Sequence, residues 1–168
     1  MKIAFFSLFL ATFLAASCPA QSVTASCGAG NVSFKVKLDE TRHTPAAPAP
    51  GKALVYFIHD AGSDAVIAYP TTKFAMDGAW AGADHSNSYF AVSAAPGEHH
   101  LCATLQSSLV DDRFEFAHFT AEAGKVYFFR TRLVLSRSVE LLQLEPIDSD
   151  QGNYLVAIYP LAISTPKK

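Results

Sequence analysis

The chain has 168 residues, of which 50% are hydrophobic, and its 13 basic and 15 acidic side chains give a formal net charge of −2. This balance leaves no basic excess to attract a phosphate backbone, so the composition argues against a nucleic-acid partner. The length is enough for one domain, and beyond the N-terminus no apolar stretch approaches the length of a membrane span.

The N-terminus has the layout of a secretory signal peptide over residues 1–20. A lysine precedes the apolar run 3–16, and small residues lead to a predicted cleavage site between Ala20 and Gln21. We therefore expect an exported protein, periplasmic or extracellular. A lipoprotein signal is the alternative, because the letters LAASC resemble a lipobox in which Cys18 would be acylated. Only in that case do we expect a membrane anchor.

Removal of the signal leaves two cysteines, Cys27 and Cys102. An even pair in a chain bound for an oxidising compartment predicts a disulfide. It would close a loop of about 75 residues and stabilise the fold by about 4 kcal/mol in the chain-entropy description. Two reduced buried thiols, or one reactive thiol, are the alternatives.

The first half of the mature chain contains regular runs separated by turn residues. Residues 31–38 alternate strictly between apolar and polar and predict a half-buried strand. The stretch 41–51 carries three prolines among alanines and predicts an extended surface linker within the domain. The apolar run 53–59 predicts a central strand covered on both faces. Asp77-Gly78 then predicts a tight hairpin turn between two strands.

The second half opens on the most informative stretch, residues 87–106 (NSYFAVSAAPGEHHLCATLQ). Two alternating runs flank Pro96-Gly97, whose proline presets φ while the glycine accepts positive φ, and this pattern predicts a β-hairpin. Three further strands are predicted at 113–121, 125–135 and 138–144. On the second of these, we expect the face that carries two arginines to be solvated.

The last segment predicts a short C-terminal helix. An N-cap lies within residues 148–150, and apolar residues recur at helical spacing up to Pro160. With about eight short strands before it, the chain predicts an all-β fold, an antiparallel β-sandwich or a small barrel. We expect one domain over residues 21–168, with its core at about 31–161.

His99 and His100 are the clearest candidate metal ligands. Adjacent residues on a strand point to opposite faces, so these two imidazoles cannot easily bind one ion. A zinc site needs three or four converging ligands, and the recognised spacings such as HExxH are absent. We therefore predict no metal and no other cofactor. A metal-assisted hydrolase that uses His99 or His100 is the alternative.

The common catalytic motifs are also missing. No GxSxG occurs, and Cys102 is better explained as half of a disulfide than as a nucleophile. The glycines form neither a phosphate loop nor a dinucleotide fingerprint. The acids Asp111 and Asp112, just before a strand, are typical turn residues. These observations favour a protein that is not an enzyme.

Trp80 is the best candidate for an exposed aromatic ligand surface, because it follows a predicted hairpin tip. Asp77 and Tyr89 are the other residues assigned to this surface. Most aromatic side chains of a small β-domain pack in its core, but a sugar or peptide ligand would use exposed ones. A carbohydrate- or peptide-binding module is therefore the second alternative.

Several segments together resemble a known family. The series ALVYFIHD, MDGAWAG, SYFAVSAAPGEHHLCA, FTAEAGKVYFFRTR and LLQLEPIDSDQG resembles the domain of unknown function 2846 family, a set of exported bacterial proteins. The likeness covers about residues 52–161. It implies a β-sandwich similar to small carboxypeptidase-regulatory or PEGA-like domains, often lipid-anchored, and supplies no catalytic residue. We therefore expect a binding or envelope-associated module whose partner is an envelope protein, a peptide or a glycan.

Overall fold

A computed structural model describes residues 27–28, 30–41, 45–61, 71–106, 114–136 and 139–167. The predicted signal peptide, its cleavage site and the alternative lipidation site at Cys18 lie outside these residues. Within the described ranges, no helix is both long enough and apolar enough to cross a membrane.

Ten strands and one helix are described. In chain order they are β1 (Phe34–Asp39), β2 (Ala53–His59), β3 (Thr71–Met76), β4 (Ala79–His85), β5 (Ser88–Ala94), β6 (Gly97–Leu105), β7 (Phe114–Ala121), β8 (Val126–Ser136), β9 (Val139–Ile147), α1 (Ser149–Ile158) and β10 (Leu161–Pro166). They form a six-stranded sheet in the order β1-β10-β5-β2-β8-β9 and a four-stranded sheet in the order β4-β3-β6-β7. The predicted all-β sandwich with a C-terminal helix is confirmed.

The main core lies between the two sheets and is built around Phe57 of β2. Every residue of β2 is buried, because β5 and β8 flank it and both of its faces are covered. The Phe57 ring lies 4.8 Å from the Phe74 ring of the opposite sheet and 5.2 Å from that of Phe90, measured between centroids. The apolar run 53–59 is therefore the central strand that we predicted.

The helix α1 covers the outer face of the six-stranded sheet. Asp148 caps it, since its carboxylate accepts a hydrogen bond from the Gln151 N–H at 2.9 Å. The buried residues of α1 are Gly152, Leu155 and Val156. The last two pack in a second apolar cluster that includes Tyr56 of β2 and Phe128 of β8. The face of β8 that carries the two arginines is solvated only in part, since the Arg130 side chain is 11% exposed and that of Arg132 is 44% exposed.

The predicted hairpin around Pro96-Gly97 is wrong. Gly97 does have a positive φ of 133°, but β5 belongs to the six-stranded sheet and β6 to the four-stranded sheet, so the chain turns a corner between sheets. Turn chemistry shows only that the chain changes direction there. The partner strands decide which sheet each strand joins, because β5 pairs with β2 along its whole length while β6 lies between β3 and β7.

Other differences concern strand direction and the C-terminus. The six-stranded sheet is mixed rather than antiparallel, since β2 pairs with β8 in parallel and β10 with β5 in parallel. The last predicted strand, 138–144, continues through Pro146 to Ile147, because β9 is an edge strand and a missing N–H is tolerated there. We did not predict β10, a six-residue strand that ends at Pro166. By contrast, the Asp77-Gly78 hairpin is confirmed between β3 and β4.

Candidate functional site

The predicted disulfide joins Cys27 to Cys102, with the two Cα atoms 5.2 Å apart. It fastens the segment before β1 to the outer face of the four-stranded sheet. Trp80 packs against the same segment, where a Cβ atom added to Gly28 would lie 2.5 Å from the indole ring. The Lys73 ammonium lies 4.6 Å from the centre of that ring. The indole is therefore engaged by neighbours within the chain.

The other two residues of the predicted ligand surface lie apart. Asp77 occupies the turn between β3 and β4, and its side chain is 46% exposed. Tyr89 is 3% exposed and packs in the second apolar cluster, 5.9 Å from the Tyr56 ring. The structure therefore does not bring Tyr89 to Trp80 and Asp77.

The His99 side chain connects the turn between β3 and β4 to the segment between β5 and β6. Its Nδ1 lies 2.6 Å from the Asp77 carboxylate and its Nε2 lies 2.7 Å from the Ala95 carbonyl oxygen. Burial lowers the pKa of His99, but the Ala95 carbonyl and the Asp77 carboxylate together raise it above its ordinary value. Both ring nitrogens face acceptors, so the protonated imidazole fits best. A metal could bind His99 only by displacing one of these contacts.

His100 points away from His99, and its side chain is 51% exposed. Its backbone N–H donates to the Asp77 carboxylate at 2.9 Å. Among the residues that the structure describes, no group of three or more histidines, cysteines and acids is arranged to hold a metal ion.

A group of buried polar side chains closes one end of the core, and sequence reasoning missed it. Its members His59, Thr72, Asp84, Ser88 and Thr131 come from five strands of both sheets, and each is 0% exposed. His59 Nδ1 lies 3.0 Å from the Thr72 hydroxyl and 3.5 Å from the Asp84 carboxylate. Burial raises the pKa of Asp84 to about 7, although the contact with His59 opposes the shift.

This group differs from a Ser-His-Asp relay, in which the acid and the nucleophile meet different ring nitrogens. Here Thr72 and Asp84 both approach Nδ1 of His59. Nε2 has no hydrogen-bond partner in the described part of the chain. The position of His59 in the sequence could have revealed the group, because it shares the inward face of β2 with Val55 and Phe57.

A second polar group lies on the outer face of the six-stranded sheet, the face that α1 covers. Asp60 accepts a hydrogen bond from the Tyr159 hydroxyl at 2.8 Å and lies 3.5 Å from Arg130. Arg130 also donates to Glu145 on β9. These contacts tie the end of α1 to the sheet, which explains Asp60 as a structural residue.

The strand β7 is an edge of the four-stranded sheet in the described structure. It pairs with β6 through eight residues, Phe114 to Ala121, and no described strand is hydrogen-bonded to its other side. Its sequence, FEFAHFTA, contains no lysine, arginine or proline. Phe114 and Phe116 on its outer face are 40% and 44% exposed. Such an edge is open to pairing with another chain.

The other three edges are protected in ways that natural sheets commonly use. The strand β1 carries Lys35 and Lys37, and β9 contains Pro146. The edge of β4 is covered, because the Ala83 N–H donates to the Ser164 hydroxyl of β10 at 3.1 Å. The strand β7 carries neither a lysine nor a proline, and no described strand is hydrogen-bonded to its outer side.

An apolar groove of about 240 Å³ opens beside β7 and is lined by residues of β7, β8, β9 and the start of α1. Its apolar lining comes from Phe119, Val126, Tyr127, Phe128, Phe129, Pro146 and Ile147, and His118 and Ser149 are its polar residues. The Phe119 ring lies 4.9 Å from the Tyr127 ring and 5.2 Å from the Phe129 ring, so neighbouring aromatic side chains hold the wall in place.

Comparison with known proteins adds one finding. A family described as "Protein of unknown function (DUF2846)" matches residues 49–142, more than half of the chain. The chain belongs to this family. The DUF2846 match contains β7, β8 and Cys102, and it confirms the predicted resemblance. No curated protein and no solved structure matched the chain.

Proposed function

We propose that this DUF2846 protein is an exported, non-enzymatic binding module that holds an extended peptide segment of an envelope protein along β7. The observation that carries the proposal is a strand edge with no hydrogen-bonded neighbour in the described structure, beside an apolar groove. Proteins use such edges for β-augmentation, in which backbone hydrogen bonds supply affinity and side-chain pockets supply selectivity.

The backbone of β7 supports this mode of binding. In an antiparallel pair, every second residue of an edge strand directs its N–H and C=O away from the partner. Half of the eight residues of β7 therefore offer a donor and an acceptor to an added strand. Each hydrogen bond formed contributes about 0.5–1.5 kcal/mol after the exchange with water.

The side chains beside this edge indicate an apolar peptide. Alternate residues of an added strand would point to opposite faces. Those on the inner face would meet the groove wall at Phe119 and Phe129, and those on the outer face would meet Phe114 and Phe116. Both environments favour a peptide rich in β-branched or aromatic residues.

The disulfide supports the proposed location, because such bonds persist in oxidising compartments. Cleavage after Ala20 and acylation of Cys18 remain the two predictions for the N-terminus. The intact mass of protein purified from its native envelope distinguishes them, since only the second adds lipid mass to a chain beginning at Cys18.

Peptide display on the disulfide-bonded domain tests the proposed function. We expect selected linear peptides to be apolar and extended, and to slow hydrogen exchange of amides in β7 but not in β1. Phe116→Lys should weaken binding, because it places a charge against the added strand. The matched control is Ile163→Lys, which changes a residue of similar exposure, 48%, on β10.

Two results would contradict the proposal. One is that no linear peptide is enriched over an unrelated β-domain. The other is that peptides bind, but Ile163→Lys weakens them as much as Phe116→Lys does, or the slowed amides lie outside β7.

A further inference from the structure

Two histidines face each other across β6 and β7 on the outer surface of the four-stranded sheet. His100 and His118 are directly opposite in the strand register. Residues in this relation point to the same face, with Cβ atoms about 4.5–5.5 Å apart. His100 is 51% exposed, and His118 is also exposed.

We propose that His100 and His118 form a binding site for a divalent transition-metal ion, Cu²⁺ or Zn²⁺. Imidazole is a favoured ligand of both ions. The two strands hold the residues at a spacing that lets both rings reach one ion, so the second imidazole binds intramolecularly once the first is bound. Solvent completes the coordination. His118 also lines the groove beside β7, but the metal titration uses no peptide, so its outcome does not depend on the proposed peptide binding.

The surroundings of the pair favour a cation. Glu98 lies two residues before His100 and on the same face, and its carboxylate oxygen is 4.0 Å from His100 Nε2. The residue opposite Glu98 is Thr120, which carries no charge. No described hydrogen bond fixes either imidazole, so both rings can turn toward an ion.

The other described histidines are less suitable. Both ring nitrogens of His99 already face acceptors, and His59 is 0% exposed inside the sandwich. His85, at the far end of β4, makes its contact with the Thr71 hydroxyl at 3.1 Å. Of the histidines that the structure describes, only His100 and His118 combine exposure with a histidine neighbour across the strand pair.

Calorimetric titration of untagged, disulfide-bonded protein with Zn²⁺ tests the site, together with the paramagnetic resonance spectrum of the Cu²⁺ complex. We expect one ion per chain and nitrogen couplings from two imidazoles. His100→Gln and His118→Gln should each lower the affinity on the order of a hundredfold, because the chelate is lost. Acidification from pH 7.5 to 5.5 should weaken binding, since the metal competes with protons.

Two further variants sharpen the test. His85→Gln removes a histidine elsewhere and should leave the affinity unchanged. Thr120→His adds a third imidazole on the same face and should raise the affinity for Zn²⁺ about tenfold or more. The proposal is overturned if no ion binds, if neither His100→Gln nor His118→Gln weakens binding, or if His85→Gln weakens it equally.

Discussion

Replacement of Asp84 by asparagine should make the protein more stable than wild type at neutral and alkaline pH. The substitution keeps the shape of the side chain and removes its charge. Asp84 is 0% exposed, and its carboxylate oxygens accept no hydrogen bond within the described residues. An ionised carboxylate in such a place is costly to bury.

The size of the effect follows from the pKa of the carboxyl. In the unfolded chain Asp84 loses its proton near pH 3.8, whereas burial in the folded protein raises its pKa to about 7. Because the folded state retains the proton longer, its stability falls as pH rises through this interval. The full difference amounts to about 4 kcal/mol above pH 7. Asp84→Asn lacks this penalty, so its stability relative to wild type should rise by about that amount between pH 4 and pH 8.

Urea denaturation at several pH values measures this difference. Trp80 is the single tryptophan and reports unfolding by its fluorescence. Asp77→Asn is a matched control. Asp77 follows the last residue of β3, whereas Asp84 lies beside Thr72 near the start of that strand. Burial raises the pKa of Asp77, but hydrogen bonds from His100 and His99 outweigh it and leave the pKa lowered. This control should therefore lose stability relative to wild type as pH rises through the acid range.

The reasoning is refuted if the stability difference between Asp84→Asn and wild type stays constant from pH 4 to pH 8. A constant difference would reflect changed hydrogen bonding alone. It would mean that the carboxyl at position 84 ionises alike in the folded and unfolded states.

Three other predictions concern local contacts. Cys102→Ala should lower stability by about 4 kcal/mol, because it opens a loop of 75 residues, and its melting temperature should not respond to reductant. Gly152→Ala should destabilise the protein in urea although alanine usually favours a helix by about 1 kcal/mol, since the added Cβ collides with the Phe128 ring; a gain would contradict this packing. The pKa of His99 is raised in the folded state, so its contact with Asp77 stabilises the protein fully below pH 6.5. This stabilisation is lost as pH rises through the folded-state pKa. Nuclear magnetic resonance titration can follow the change. His99→Gln should remove this loss.

Local chemistry explains which parts of the fold the sequence predicts. Asp77-Gly78 supplies the two positive φ angles, 53° and 77°, that a tight hairpin needs, and both strands of that hairpin follow it directly. Asp148 caps α1 through a contact three residues away. The two cysteines that follow the predicted signal peptide leave one possible pairing. Each of these features depends on few residues or on one pairing choice.

The features that were missed depend on distant partners. Nothing within residues 87–106 indicates that β5 and β6 join different sheets. The short strand β10 is defined by β1, which precedes it by more than a hundred residues. The polar group around His59 and Asp84 forms only when both sheets stack. Likewise, the exposed edge of β7 is visible only once the strand order is known.

The pairing of β1 with β10 has a consequence for how the protein is made. The first and last described strands are neighbours, and β10 also separates β1 from β5. During synthesis, the six-stranded sheet therefore cannot be completed before residues 161–166 have emerged. Folds that depend on contacts so distant in sequence form slowly, and their unpaired strands stay exposed meanwhile. The nascent chain should thus keep unpaired strands accessible to chaperones until residues 161–166 have been synthesised.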